Sequence, residues 1–146
     1  MQKIMNFLTH SAGTHSKLGD LGLLILRLSF GLSMAFSHGL HKVPPSEGFV
    51  NVVAKMGFIA PEFFAWMAGL SELVGGIMIA VGFLGRGASL FLLQTMLVAL
   101  LIKHGGDPFR KMESAFLFSS FCITLLCTGM GRWSLDHYIW KSNRSS

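Results

Sequence analysis

Glu72 lies within an apolar stretch, Phe63 to Leu84, that carries no other charge. Arg27 lies within a second apolar stretch, Leu21 to Leu40. An ionisable side chain at bilayer depth costs roughly 2.5–3.5 kcal/mol on insertion scales. A chain that keeps one of each sign at such depth pairs them or uses them. With both helices counted from the same membrane edge at 1.5 Å rise per residue, the two lie about 8 Å apart in depth. The spacing therefore predicts Arg27 and Glu72 facing each other across a helix bundle. Such a pair is either a registry ion pair that fixes packing or a proton or ligand site.

A second group of polar residues falls at the ends of the apolar stretches. The first stretch runs out in Ser37-His38-Gly39-Leu40-His41-Lys42, and a third ends in Lys103-His104-Gly105-Gly106. Antiparallel neighbours would bring both ends to one membrane face. His38, His41, His104, Lys42 and Lys103 are then expected at one mouth of the bundle, with Glu113 at the start of the fourth stretch. Imidazoles there can hydrogen-bond the carbonyl of a quinone head group, ligate a metal, or cap a helix C-terminal dipole. No His-x-x-x-His or carboxylate spacing supports a metal, and none is expected. Gln94, within the third stretch, is read as an interhelical hydrogen bonder.

Four helices must position these residues. The stretches Leu21–Leu40, Phe63–Leu84, Gly87–Ile102 and Ser114–Met130 read as membrane spans. The third and fourth fall at or below the roughly 17–25 residues a crossing helix needs, so they must borrow flanking residues. The chain is 51% hydrophobic and 13% charged, against about 25% charged in soluble domains, and its mean hydropathy is +0.56. Pro44-Pro45-Ser46-Glu47-Gly48, the run Gly82 to Gly87 and Gly105-Gly106-Asp107-Pro108 punctuate the spans. Gly85 and Arg86 are read as part of a structural turn. Short connections imply an up-down-up-down arrangement. The expected fold is an all-α membrane protein, an antiparallel four-helix transmembrane bundle. It would have an N-terminal segment 1–20, a membrane domain 21–131 and a tail 132–146.

Smaller features refine this picture. Phe49, Val50, Val52, Val53 and Met56 recur at helical spacing in the first loop and predict a short interfacial helix. Ile4, Met5, Phe7 and Leu8 suggest another, and Met1–His10 lacks the pattern of a cleaved signal. Ala65/Gly69 and Gly76/Ala80 form small-xxx-small faces suited to close helix contact. Cys122 and Cys127, five apart on one helix, point about 140° from each other and cannot readily pair.

The net charge is +5, but no basic run exceeds Arg110-Lys111, so nucleic acid is not an expected partner. With the N-terminus inside, Lys3, Lys17, Arg86, Arg132, Lys141 and Arg144 face the cytoplasm. Lys42, Lys55, Lys103, Arg110 and Lys111 face out. This slight bias places both termini in the cytoplasm. No phosphate loop, dinucleotide fingerprint, nucleophile elbow or haem-attachment motif is present.

Taken together, Arg27, the segment His38 to Lys42, Glu72-Leu73-Val74-Gly75-Gly76, the turn Gly82 to Arg86 and the run Gly129 to Asp136 resemble the DoxX family of small membrane proteins. The resemblance runs from about residue 20 to 137. It implies a four-span bundle in the cytoplasmic membrane. The family takes its name from a subunit of an archaeal thiosulfate:quinone oxidoreductase. Other members are linked to membrane oxidoreductase complexes that handle thiol or oxidative stress. The family is also distantly similar to eukaryotic cargo-receptor and assembly-factor membrane proteins.

Two functions of different kind follow. One is a redox-associated accessory subunit that binds a quinone or similar amphiphile near Glu72, His38 and His104 and docks a partner that performs the chemistry. The other is a non-catalytic membrane scaffold or assembly factor, in which the polar residues only set register. The bilayer is the expected partner in both. A redox partner subunit and a second copy of the chain are further candidate partners.

Overall fold

The computed structural model describes residues 16–142. The expected helix at Ile4–Leu8 lies outside the described residues. All regular elements among the described residues are helical, and four helices are long and apolar enough to cross a membrane.

Helix α1, Lys17–Leu32, starts at Ser16, whose hydroxyl accepts the Gly19 amide N–H at 3.1 Å. That bond satisfies one of the amides left unpaired at a helix start. The helix continues through a π-helical stretch, Ser33–Gly39, and a 3-10 turn, Leu40–Lys42. Together they form one 26-residue span. Helix α2, Glu47–Lys55, is the predicted short helix of the first loop, capped by Ser46 accepting from Phe49 N–H at 3.3 Å. Helix α3, Pro61–Val81, opens on proline, which has no amide hydrogen to lose. It stops at Gly82, whose φ of 71° is the left-handed conformation glycine adopts without strain.

Helix α4, Gly85–Val98, runs on through a second π-helical stretch, Ala99–Lys103. Helix α5 is Phe109–Thr128 and helix α6 is Leu135–Ser142. The third and fourth spans reach 19 and 20 residues by taking in flanking polar positions, Gly85–Arg86 and Lys103 for one, Phe109–Glu113 for the other. Long basic side chains at such ends reach back to the headgroups.

Helices α1 and α3 pack antiparallel through glycine. A Cβ at Gly76 would lie 2.8 Å from the Gly31 carbonyl and 2.9 Å from the Ala35 amide. A Cβ at Gly69 would lie 2.7 Å from the Lys42 carbonyl. The small-residue faces read from the sequence are thus the ones that let these backbones touch. On the other side of α1, Phe30 stacks on Phe121 at 3.8 Å and meets Phe118 edge-on at 4.9 Å. Met34, Ile79, Leu92, Cys122 and Leu125 complete the centre. Cys122 is buried, Cys127 exposed, and both are free thiols.

The outer surface carries Ile25, Phe36, Val74, Ile77, Leu101 and Ile123, all exposed. An apolar exterior around a core that buries charged groups such as Arg27 and Glu72 is the pattern of a protein whose solvent is lipid.

Candidate functional site

The two charges that opened the sequence reading do not meet. Gly39 packs against the Leu73 backbone, Gly31 against Ala80, and Gly82 against the Arg27 guanidinium. Arg27 is therefore level with the turn after α3, while Glu72 is level with Gly39. Twelve residues of α1 separate those levels, about 18 Å at helical rise. The depth count from the sequence failed because it started both helices at one plane. In fact α1 starts at Lys17, so it extends beyond the end of α3 by nearly three turns.

Each charge has its own partner. The Lys42 ammonium donates to both Glu72 carboxylate oxygens, at 2.6 and 2.7 Å. Glu72 is 1% exposed, whereas the Lys42 side chain is 31% exposed. Lys42 reaches Glu72 because the 3-10 turn ends α1 well below the start of α3. Helix α2 folds back into the space this leaves. The Phe49 ring of α2 lies 5.4 Å from the Lys42 ammonium, a cation–π contact.

Arg27 is 2% exposed at the opposite end of the bundle and donates to the Trp133 carbonyl. Beside it, Asp136 of α6 accepts the Leu84 amide at 2.8 Å and the Gly85 amide at 3.1 Å, and the Asp136 amide donates to Gly82 O at 2.9 Å. Burial pushes the Asp136 carboxyl above its ordinary value, and these two amides and the Arg27 charge pull it back. Asp20 accepts the Arg132 amide at 3.1 Å. Arg86 donates to Cys127 O at 3.2 Å. The segment from residue 132, expected as a tail, thus docks on the Gly82–Gly85 turn and caps that end. In the sequence Asp136 stands only as the end of a family pattern, and nothing in its spacing places it beside Arg27.

The histidines expected at one mouth each have their own surroundings. His38 meets the edge of Phe118 at 5.4 Å. His41 is exposed. His104 pairs with Asp107 at 2.8 Å in the loop before α5. Among the described residues, no three histidine, cysteine or carboxylate side chains are placed to share an ion.

A cavity of about 340 Å³ lies between α3 and α4 under α2, and the Lys42–Glu72 pair forms part of its wall. Phe49, Phe58, Phe63, Phe64 and Phe91 make much of the rest. Gln94, Thr95 and Lys103 line the α4 side. The Thr95 hydroxyl is joined to Ser71 across the helices at 2.7 Å, and Ser71 also donates to Ala68 O at 2.9 Å. The interhelical bond foreseen for Gln94 is made one residue later. Of the predicted site residues, the structure brings Lys42 and Glu72 to this cavity. It leaves Arg27, His38, His41 and His104 outside.

The sequence pattern of the DoxX family matches residues 22–105, the first three spans and both walls of the cavity. The chain belongs to the DoxX family. It is also 28% identical over 127 residues to a protein of Bacillus subtilis (strain 168) named "Putative oxidoreductase CatD", covering 86% of this chain and 92% of that one. No solved structure matches the chain. Family and helices together make this DoxX member a multi-pass membrane protein.

Proposed function

We propose that this DoxX protein is a redox-associated accessory subunit that binds a quinone-like amphiphile in the α3–α4 cavity. The observation that carries the reading is the cavity itself. It has aromatic walls and one ion pair whose carboxylate is buried, and its volume is at the low end of the roughly 300–1,000 Å³ typical of small-molecule sites. That volume suits a head group, with the tail left among the acyl chains. The residues present fit such a ligand: flat aromatic surfaces for the ring, and the Lys42 ammonium as hydrogen-bond donor for a carbonyl. A bound quinone would supply two-electron, two-proton redox chemistry. The chain's own part is to hold the head group, exclude water with α2 and Phe49, and present the Lys42–Glu72 pair. The electron donor is a partner subunit, a reading supported by the name of the Bacillus relative.

The setting proposed is the cytoplasmic membrane with both termini inside, supported by the small excess of Lys and Arg on that side. Native mass spectrometry of the protein, extracted gently from its own membrane, tests the reading. A co-purified quinone or oxidoreductase subunit, lost on Glu72→Gln, is the expected result. A bare protein carrying phospholipid alone in both forms overturns it and leaves the scaffold role.

A further inference from the structure

Gln94 stands at the middle of the 19-residue span Gly85–Lys103, where the bilayer offers no water to satisfy an amide. It lines the cavity and is exposed. No hydrogen bond joins its side chain to any described residue, while the neighbouring hydroxyls of Thr95 and Ser71 are already bonded. Helix membership does not explain this amide. A leucine at the same place would cost nothing.

The chemistry of the two polar walls is alike in one respect. The Gln94 amide offers a donor NH2 and an acceptor carbonyl. The Lys42–Glu72 pair offers an ammonium and a carboxylate. Each wall therefore holds a donor and an acceptor side by side. A quinone carbonyl only accepts, and a quinol hydroxyl can donate. A site built from donors alone would favour the oxidised form. This one can hydrogen-bond both forms by turning an amide or shifting from nitrogen to oxygen.

The route in is sideways. Phe63 on α3 is 60% exposed and Phe91 on α4 is 45% exposed. Phe91, three residues before Gln94 on the same helix, puts an aromatic wall of the cavity in reach of the acyl chains near the depth of Gln94, and Phe63 does so nearer the membrane face.

We infer that Gln94 is the residue that reads the head group of a ligand entering from the bilayer between α3 and α4, and that its amide serves oxidised and reduced forms alike. This rests on the quinone reading above.

The test uses the full chain in phosphatidylethanolamine–phosphatidylglycerol nanodiscs, with empty discs as partition background. Decyl-benzoquinone and its dithionite-reduced quinol are titrated, and occupancy is read by native mass spectrometry. The wild type binds both forms within about threefold of each other. Gln94→Leu, checked for unchanged melting, weakens both about tenfold, the effect of losing one hydrogen bond. Gln94→His, which keeps a donor and an acceptor, restores both.

Leucine binding equal to wild type overturns the assignment, as does a loss confined to one redox form. Equal competition by decylbenzene overturns it too, because the head group would then not be read. Dissociation of a homo-oligomer by Gln94→Leu with ligand binding intact would show that the amide bonds a second copy instead. A wild type that binds neither form defeats the quinone reading itself, an outcome distinct from a failure at Gln94 alone.

Discussion

The two ends of the bundle treat buried charge in opposite ways. At the Arg27 end the space is filled: one guanidinium nitrogen donates to the Trp133 carbonyl, while Nε and Nη1 are buried without a hydrogen-bond partner among the described residues. The Trp133 carbonyl, the Gly82–Gly85 turn and the Asp136 carboxylate close around the guanidinium, and α6 lies over them. At the Glu72 end, one ion pair stands on the wall of a cavity, with Lys42 left partly exposed. A buried charge surrounded by fixed dipoles is a structural joint, and removing one partner strands the others. A half-buried pair beside open space can exchange partners with a ligand. Similar residue types therefore carry different roles, and what separates them is whether the surrounding space is filled.

Breaking the sealed end should have the largest effect. Asp136→Ala leaves the Leu84 and Gly85 amides and the Arg27 charge without their carboxylate, and should cost about 3 kcal/mol or more. Thermal unfolding in detergent would register it, and a variant as stable as wild type would show that α6 is dispensable. Gly82→Ala should also destabilise, by more than about 1 kcal/mol, since alanine at a φ of 71° is strained and its methyl meets Arg27. Ligand binding by either variant, once folded, should be nearly normal.

Glu72→Gln sharpens the contrast from the other side. Lys42 keeps a hydrogen-bond partner and a route to water, so the melting temperature should move less than for Asp136→Ala, while bound amphiphile is lost. Equal destabilisation at both ends would make Lys42–Glu72 a registry pair. A smaller effect is expected at the roof. Phe49→Ala removes the ring over Lys42, a contact of about 0.5–1 kcal/mol, and should weaken ligand binding several-fold with little change in fold.

The smallest effect lies in the α4–α5 loop. His104 and then Lys111 hold the Asp107 carboxyl below its ordinary value of 3.8 by hydrogen bonds. A carboxyl with a lowered folded value contributes stability above the ordinary value and loses it as pH falls through the folded one. Melting curves at falling pH should show the gap between wild type and Asp107→Asn closing below 3.8. The gap should be small, because the group is partly exposed and screened.

How much of this was legible before the structure depends on the length scale. Span number, the α2 helix, the small-residue faces of α3 and the unpaired cysteines all follow from composition and helical period, which are local. Partner choice for Arg27 and Glu72 did not follow. It depends on the axial stagger of α1 against α3, and one turn of stagger changes every facing pair. The histidines do not line the cavity for the same reason: sharing a membrane face is weaker than sharing a cavity. Gln94 carried a signal, a lone amide in an apolar span, but Thr95 beside it proved to be the residue that bonds across the helices.

The residue order alone thus determined a four-span membrane bundle with charge inside it, because the cost of polar groups in lipid restricts a chain of this composition to helices. Only the tertiary structure decided which charges meet, that the C-terminal segment locks one end, and that a cavity remains at the other. Those outcomes turn on where α1 ends relative to α3. The glycine contacts along that interface set that stagger, through close packing between residues distant in sequence.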